Sequence, residues 1–243
     1  MRILKKIQEK VQNPAGMAPL KIAFLGDSVT HGCFEVIDKG EGRIDCIYDH
    51  AAVYHHQLKM KIERVFPNCP VTIINAGISG GNAAQGAQRV QRDIVDVKPD
   101  LAVICFGLND ALAGADGLSV YQNALLSIFR QLHHADIDAV FMTPNMMCTY
   151  PCPQLETEWL QQTARRCATI QTEDGMDSYM QCAKDLCKQE KVLLCDCYSD
   201  WKRLQQIGAD VTYLLSNYIN HPTREMHGLF AERLFSSLFL SNI

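Results

Sequence analysis

Four separated segments of this 243-residue chain carry groups that together could do nucleophilic chemistry. Ser28 lies in Gly-Asp-Ser after the apolar run 22–25, Gly80 in Gly-Ile-Ser-Gly, Asn109 in Gly-Leu-Asn-Asp and His221 in Asn-His-Pro. Acyl transfer by serine needs a hydroxyl nucleophile, a base beside it, and donors directed at the developing oxyanion. Ser28 offers the hydroxyl, while the N–H groups of Ser28 and Gly80 and the amide of Asn109 offer donors.

Each segment has an ordinary structural interpretation when it is taken alone. A serine after Gly-Asp at a strand end is more often a turn former or a helix cap. The loop around Gly80 could cradle a phosphate, but it lacks the glycine order and the Gly-Lys-Ser/Thr of nucleotide-binding loops. Asn109 could simply occupy a turn. Their occurrence together is what favours catalysis.

His221 is the best candidate for the base among eight histidines. It lies in a loop directly before Pro222, a residue that can open the last helix at its first position. A rigid helix start would then hold the imidazole. The pairs at 55–56 and 133–134 fall in helical patterns, for which surface positions are expected.

The elements that must position these groups alternate between strands and helices. Short apolar runs predict strands at 20–25, 71–75, 101–106, 138–143 and 191–195. Helical patterns lie near 50–65, 83–97, 119–134, 155–170, 176–190 and 223–240. Nearly continuous apolar strands that alternate with helices are typical of a doubly wound parallel sheet, whose ligands bind at the carboxyl ends of the strands. Ser28, Gly80 and Asn109 each follow such a strand, so we expect them to meet at one rim.

Two segments depart from the alternation. Residues 1–13 are predicted to form an amphipathic arm that packs against the domain, with Ile3, Ile7 and Val11 at spacings of four. Residues 144–180 insert a loop and two helical patterns before the last strand. Because this excursion leaves a strand end, it is predicted to form a wall or a lid of the site.

Length and composition restrict the class of protein. The length fits a single domain over 1–243. A formal net charge of −4 and a pI near 6.0 give no basic surface, which argues against a nucleic-acid partner. No apolar run approaches the roughly 20 residues of a membrane span, and the first 24 residues lack the continuous apolar core of a secretory signal. We therefore expect a cytoplasmic protein, and a homo-oligomer is compatible with the sequence.

The cysteines favour neither disulfides nor a metal site. Their number, eleven, is odd, and a chain of this size needs no covalent staples, so reduced thiols are expected. The pairs Cys148/Cys152 and Cys195/Cys197 lack the spacing of a zinc knuckle, so no metal is expected. Cys195 and Cys197 are predicted to lie at a strand end with both side chains on one face.

The four segments resemble, in their order along residues 26–221, the blocks of the SGNH or GDSL hydrolase family. The resemblance implies a flavodoxin-like three-layer α/β/α sandwich with a five-stranded parallel sheet of order 2-1-3-4-5. It also implies a serine esterase, lipase or carbohydrate deacetylase without a cofactor. Ser28 would be the nucleophile, its N–H, the Gly80 N–H and the Asn109 side chain would form the oxyanion hole, and His221 would be base and then acid.

The resemblance fails three residues before His221, where the family usually has an aspartate and this chain has Tyr218. The orienting group fixes the tautomer of the imidazole, and a backbone carbonyl can do so as well as a carboxylate. We therefore predict a Ser28–His221 dyad, with a main-chain carbonyl or the oxygen of Asn217 as its third member.

Three further polar residues are predicted to support the site. Asp27 would brace the turn that carries the nucleophile, Asp110 would shape the turn that directs the Asn109 amide, and Asn75 would tie adjacent loops together.

The predicted function is hydrolysis of a small carboxylic ester. The polar loop 26–49 and an apolar wall with Met146 and Met147 favour a short acyl group, such as acetyl, on a sugar or another small alcohol. An acyltransferase would share every catalytic residue, and a non-catalytic carbohydrate- or ligand-binding module would share the scaffold. A nucleotide or flavin binder is disfavoured, because Asp27 would repel a phosphate at the end of the first strand.

Overall fold

The computed structural model describes residues 1–173 and 175–240, and a parallel sheet lies at its centre. The strands of the described part are β1 (Leu20–Gly26), β2 (Cys33–Gly40), β3 (Arg43–Tyr48), β4 (Val71–Gly77), β5 (Leu101–Cys105), β6 (Asp138–Met142) and β7 (Leu193–Cys195). The central sheet has the order β4-β1-β5-β6-β7, and all of its neighbours run parallel. The predicted order 2-1-3-4-5 is confirmed.

Helices cover both faces of this sheet. They are α1 (Arg2–Gln12), α2 (Ser28–His31), α3 (Tyr54–Val65), α4 (Ala83–Val90), α5 (Leu108–Ala111), α6 (Leu118–His134), α7 (Glu158–Thr172), α8 (Gly175–Glu190), α9 (Cys197–Gln206) and α10 (Arg224–Phe239). Helices α3 and α10 pack together against the edge strands β4 and β7, and α4, α6 and α8 form the other layer. The predicted three-layer α/β/α architecture is confirmed.

The apolar strands are buried because both faces of the sheet are covered. Every residue of β5 is buried, and so is every residue of β1 except Lys21. The apolar runs that predicted β1, β5 and β6 thus form the core of the sheet, whereas the edge strands β4 and β7 are only partly buried. Between α4 and β5 the predicted helix continues as a π-helical turn, Gln91–Val95.

The N-terminal helix α1 lies at the amino ends of the strands, opposite the rim where a site is expected. Ile3 and Ile7 are buried, whereas Val11 is 41% exposed. The Lys6 Nζ donates to Asp100 Oδ1 at 2.5 Å, just before β5, and the Ile3 N–H donates to the side chain of Asp138 at the start of β6. The arm therefore closes the bottom of the sheet.

The sequence prediction missed a β-hairpin and the helix α9. Strands β2 and β3 form an antiparallel hairpin outside the central sheet, in the segment predicted as a polar loop. The hairpin was missed because it has charged residues and exposed isoleucines instead of a clean alternation. Helix α9 follows directly after β7, where Asp196 accepts from the Ser199 N–H as its N-cap. Cys195 thus ends the strand and Cys197 begins a helix, with 3.7 Å between their buried sulfurs.

The excursion before β7 consists of an irregular segment, 144–157, followed by α7 and the start of α8. Met146 and Met147 are buried. The predicted apolar wall is therefore wrong for these two side chains, because they are packed in the core and expose almost no surface. The role of the excursion as a wall or lid stays a prediction.

All eleven cysteines lie in the described part of the chain, and each is a free thiol there. Within the same residues, every helix is too short or too polar to span a bilayer.

Candidate active site

Ser28 lies at the sharp turn between β1 and α2. Asp27 is the N-cap of this short helix, and its Oδ1 accepts from the Val29 N–H at 3.0 Å. A Cβ on Gly26 would collide with the Thr30 side chain and lie 2.8 Å from the backbone oxygen of Cys105, so only glycine fits there. Because Ser28 is the first helical residue, its N–H has no intrahelical acceptor. The turn therefore presents both the hydroxyl and the N–H of Ser28 at the rim of the sheet.

The loop after β4 brings Gly80 to the same rim. The Ile78 N–H donates to Gly26 O at 3.1 Å, and the Gly81 N–H donates back to Ile78 O at 2.9 Å, which closes a tight turn. Gly80 has a φ of +74°, a left-handed conformation that favours glycine. This loop is therefore anchored directly to the end of β1, next to the serine.

The third segment, after β5, is tied to the second by a side chain. The Asn109 Nδ2 donates to Gly81 O at 2.8 Å, so its amide lies against the Gly80 loop. The Asp110 Oδ1 accepts from the Ala83 N–H at the start of α4 at 2.9 Å. The structure thus brings Ser28, Gly80 and Asn109 to adjacent loops on one rim.

His221 completes the cluster from the loop before α10. Its Nε2 lies 2.8 Å from the Ser28 Oγ, and its Nδ1 lies 3.1 Å from the backbone oxygen of Phe34 in β2. A carbonyl oxygen can only accept, so Nδ1 carries the hydrogen and Nε2 is the free acceptor. The Ser28 hydroxyl therefore donates to His221, which is the arrangement that a general base requires.

Burial keeps this imidazole neutral. Removal from water lowers the pKa of His221 to about 4, while the Phe34 carbonyl and the charge of Glu35 act in the opposite direction. A neutral imidazole at pH 7 can accept the serine proton at once. The carbonyl and Glu35 are also placed to stabilise the imidazolium that this transfer would create.

The Asn217 side chain binds the backbone of its own loop. Its Oδ1 accepts from the backbone N–H groups of Ile219, Asn220 and His221 at 2.9–3.0 Å, so it shapes the loop that carries His221. The acceptor at the ring is a main-chain carbonyl, one of the two predicted alternatives, and Asn217 as the orienting acceptor is corrected. Tyr218, at the position of the family's aspartate, has a left-handed φ of 55°.

The loop before α10 also differs from the prediction for Pro222. Thr223 is the N-cap of α10, and its side chain accepts from the Met226 N–H. Pro222 therefore precedes the cap and pairs with Leu215 in an isolated bridge. The Thr223 side-chain oxygen accepts from a helix N–H, which a proline ring cannot do, and this explains why α10 begins at Arg224, two residues after Pro222.

Two buried carboxyl groups flank the cluster. Burial raises the pKa of Asp27 to about 7, with a further contribution from the nearby Asp110, and burial raises the pKa of Asp110 to about 6. Within the described residues, the Oδ2 atom of each has no hydrogen-bond partner. Strongly shifted carboxyl groups concentrate at functional sites.

Asn75 links the end of β4 to the end of α2. Its Nδ2 donates to His31 O at 3.2 Å, and its Oδ1 accepts from the Gly77 N–H at 2.9 Å. A Cβ on Gly77 would in turn collide with the backbone of His31. This close approach keeps the Gly80 loop beside the turn that carries Ser28.

A comparison with models of protein families shows the family of this chain. The model of the GDSL-like lipase/acylhydrolase family matches residues 24–229. The chain belongs to this family. The match includes every one of the four segments described above, and the predicted membership in a family of carboxylic ester hydrolases is confirmed.

One curated relative of this family member is an acetylxylan esterase of Geobacillus stearothermophilus. It is 31% identical over 90 residues, a stretch equal to 37% of this chain and 39% of the relative. The match thus spans about two fifths of the relative's length.

Several solved structures are similar to the whole fold of this GDSL-like acylhydrolase. An acetylxylan esterase from Geobacillus stearothermophilus has a TM-score of 0.66 and 21% identity, covering 91% of this chain and 95% of that one. An alpha/beta hydrolase from the metagenome of Lake Arreo, Spain, has a TM-score of 0.67 and 22% identity, covering 93% and 98%. A lipase/acylhydrolase from Enterococcus faecalis has a TM-score of 0.64 and 20% identity, covering 90% and 95%. At these identities the similarity shows the fold alone.

Sequence reasoning missed the residue that orients the His221 imidazole in this GDSL-like acylhydrolase. Phe34 acts through its backbone oxygen, which every residue type carries, so nothing in the sequence marks it. Two buried histidines were also missed. His55 lies in α3 with its Nε2 3.1 Å from Thr30 O, and the His227 Nδ1 accepts from the Tyr54 N–H at 3.1 Å. The surface position expected for His55 is therefore wrong.

Metal ligation finds no support in the described part of the chain. Residues 1–173 and 175–240 contain no group of three or more His, Cys, Asp or Glu side chains that could hold a metal ion.

Proposed function

We propose that this GDSL-like acylhydrolase hydrolyses short-chain carboxylic esters through a Ser28–His221 dyad. One observation carries the proposal: the Ser28 Oγ lies 2.8 Å from His221 Nε2 while Nδ1 is held by a backbone carbonyl. This arrangement leaves one nitrogen free to take the serine proton and fixes the other. It supports nucleophilic catalysis without a carboxylate in contact with the imidazole.

In the first half of the reaction, Ser28 Oγ attacks the ester carbonyl carbon as its proton moves to His221 Nε2. The carbonyl oxygen becomes an oxyanion, which accepts from the N–H groups of Ser28 and Gly80 and from the Asn109 amide. The amide has two N–H bonds, and its bond to Gly81 O uses one of them. The imidazolium then gives its proton to the leaving alcohol oxygen, which leaves an acyl group on Ser28.

In the second half, water replaces the alcohol. His221 Nε2 removes a proton from the water as its oxygen attacks the acyl carbon, and the same donors stabilise the second oxyanion. Collapse of this intermediate returns the proton to Ser28 Oγ and releases the carboxylic acid. The dyad and the donors therefore serve both steps, and no cofactor is needed.

A short acyl group such as acetyl, on a sugar or other small alcohol, is the proposed substrate class. The names of the relatives support it, since acetylxylan esterases are among both the curated and the structural matches. Because the curated match covers about two fifths of that relative, this substrate class is a proposal for this chain. Comparison of p-nitrophenyl acetate, butyrate and octanoate would test it, and faster turnover of octanoate would contradict it.

The activity itself is tested by replacing the nucleophile. We expect wild-type protein to hydrolyse p-nitrophenyl acetate and Ser28→Ala to lose about 10⁶-fold in kcat, the loss typical of removing a catalytic serine. Ser199→Ala is a matched control, because Ser199 also lies in the first turn of a helix with an aspartate N-cap. It should keep the wild-type rate. Equal rates for Ser28→Ala and wild type would overturn the assignment.

Hydrolysis and acyl transfer are separated by the products. With an acetylated xylooligosaccharide as substrate, a hydrolase releases one acetate for each ester group lost, also when a free sugar is added as acceptor. An acetylated acceptor in place of free acetate would identify the protein as an acyltransferase.

A further inference from the structure

We propose that Arg224 is a positioning residue that keeps the Phe34 carbonyl on the imidazole of His221. The inference rests on the proposed function, in which His221 is the base. Arg224 would take over the task that the missing aspartate performs elsewhere in the family, although it touches neither the substrate nor the imidazole.

Arg224 binds both strands of the β2–β3 hairpin at its base. Its Nη1 and Nη2 donate to the two carboxylate oxygens of Glu35, at 2.7 and 3.3 Å, and its Nε donates to Asp49 Oδ2 at 2.9 Å. Glu35 directly follows Phe34 in β2, and Asp49 directly follows the last residue of β3. One guanidinium therefore joins the two strands where they leave the body of the protein, and it uses its planar fork to do so.

The same guanidinium packs on Phe34 itself. The Arg224 Cζ lies 4.4 Å from the centroid of the Phe34 ring, and the ring of the buried His227 lies 4.6 Å from that centroid. The side chain of Phe34 is thus held by two neighbours from α10, and the residue after it is held by the ion pair. These contacts fix the peptide whose oxygen accepts from His221 Nδ1.

The hairpin needs such a fixation because it is not part of the central sheet. Most of β3 is exposed, and the backbone bond from the Asp49 N–H to Gly32 O joins the hairpin base to the end of α2. A two-stranded hairpin is marginally stable by itself. A small shift of its base would move the Phe34 oxygen away from the 3.1 Å contact with the imidazole.

The position of Arg224 in its helix also indicates a specific role. It is the first residue of α10, where the helix dipole disfavours a cation. The carboxylates of Glu35 and Asp49 on either side compensate for this placement. His221 lies only three residues earlier in the same segment. The base therefore moves together with the Arg224 clamp, by which we mean the contacts of Arg224 with Phe34, Glu35 and Asp49.

Kinetics of two Arg224 variants test the proposal. We expect Arg224→Ala to lower kcat for p-nitrophenyl acetate by about 10²-fold, the size of effect that misplacement of a catalytic group produces, with KM within about twofold of wild type. Arg224→Lys should lose at least about tenfold, because an ammonium group cannot reproduce the fork or the stacking. The two variants differ in size and charge, so Arg224→Lys decides the question if Arg224→Ala does not fold.

Arg233→Ala is the matched control. Arg233 lies in the same helix with similar exposure, and its Nε binds Asp200 Oδ2 at 3.1 Å, in an ion pair away from the hairpin. It should keep the wild-type kcat. A loss in Arg233→Ala as large as in Arg224→Ala would attribute the effect to helix stability and overturn the proposal.

The imidazole gives a readout that does not depend on turnover. In ¹⁵N-histidine-labelled wild type, we expect His221 to show the Nδ1–H tautomer with a slowly exchanging proton, and in Arg224→Lys a mixture of tautomers with fast exchange. If no ester is hydrolysed by wild type, the proposed function fails, while this signal still tests the clamp. Wild-type kcat and an unchanged His221 signal in Arg224→Lys would overturn the clamp alone.

Discussion

Ser28, Gly80 and Asn109 follow neighbouring strands of one parallel sheet, whereas His221 is held by side chains and by a hairpin outside that sheet. On the first side, backbone bonds such as Ile78 N–H to Gly26 O connect the loops directly to strand ends. On the second, the Asn217 oxygen shapes the loop and the Phe34 carbonyl orients the ring. The donors proposed for an oxyanion are thus tied to the central sheet, whereas the orientation of His221, the proposed base, depends on a few contacts outside that sheet.

Because of this difference, we expect substitutions in the two regions to affect stability and catalysis differently. The sheet side, by which we mean the loops that carry Ser28, Gly80 and Asn109, shares its hydrogen bonds with the buried strands. We therefore expect these loops to open only when much of the domain unfolds. The base side, by which we mean His221 and the contacts that orient it, depends on Asn217, the hairpin and Arg224. Each of these can be altered without removing an apolar core residue. Substitutions there should act on the orientation of the base, and substitutions on the sheet side should act on the stabilisation of the oxyanion.

Removal of one oxyanion donor should give the largest effect outside the dyad. We expect Asn109→Ala to lower kcat by about 10²–10³-fold with little change in KM, because the amide is proposed to act on the charge that develops in the transition state. Steady-state kinetics with p-nitrophenyl acetate measures both constants. Asn123→Ala, in the exposed face of α6, is the control and should behave as wild type. A loss below about threefold in Asn109→Ala would remove this residue from the oxyanion hole.

The sheet side could be predicted from the sequence because local signals coincide there. Apolar runs mark β1, β4 and β5, and each run ends in a polar turn with glycine. Parallel strands place their carboxyl ends at one edge, so three separate turns must meet. The positions of Ser28, Gly80 and Asn109 follow from this argument without knowledge of any long-range contact.

The base side could be predicted only as far as His221 itself. Its acceptor is a backbone oxygen 187 residues away in sequence, on a hairpin whose charged, exposed residues look like a loop. Arg224 resembles any polar residue in the first turn of a helix, and its two carboxylate partners lie 175 and 189 residues away. Contacts of this kind depend on the folded arrangement of three loops, which no local pattern encodes.

The pH dependence of kcat/KM tests whether His221 is a base whose pKa is lowered by burial. An ordinary histidine, with a pKa of 6.5, would be about 3% deprotonated at pH 5, whereas a pKa of about 4 leaves about 90% of His221 as the base. The base must be neutral, so activity falls as the pH drops through this pKa. We expect kcat/KM to be half-maximal near pH 4, and half-maximal activity near pH 6.5 would contradict the buried, neutral imidazole.

Stability must be followed alongside this pH profile. Burial also lowers the pKa of His55 to about 4 and that of His227 to about 3. Below about pH 6.5 the unfolded chain binds more protons at these three histidines than the folded one, so they make the fold less stable as the pH falls. The raised pKa values of Asp27 and Asp110 act in the opposite direction as the pH falls from 7. Short assays after a pH jump, with unfolding measured by circular dichroism at each pH, separate the loss of the base from unfolding.

The smallest expected effect concerns Asn217, which holds the base through its loop. Asn217→Ala leaves three N–H groups near His221 without their acceptor, so we expect a loss of about 1–3 kcal/mol in the free energy of unfolding. The fall in kcat should stay below the ~10²-fold that a misplaced catalytic group produces, because the Phe34 carbonyl still orients the ring. Asn217→Asp keeps the accepting oxygen and should recover most of both losses. Equal losses in the two variants would mean that the amide N–H, donating to Asn220 Oδ1, matters more than the oxygen.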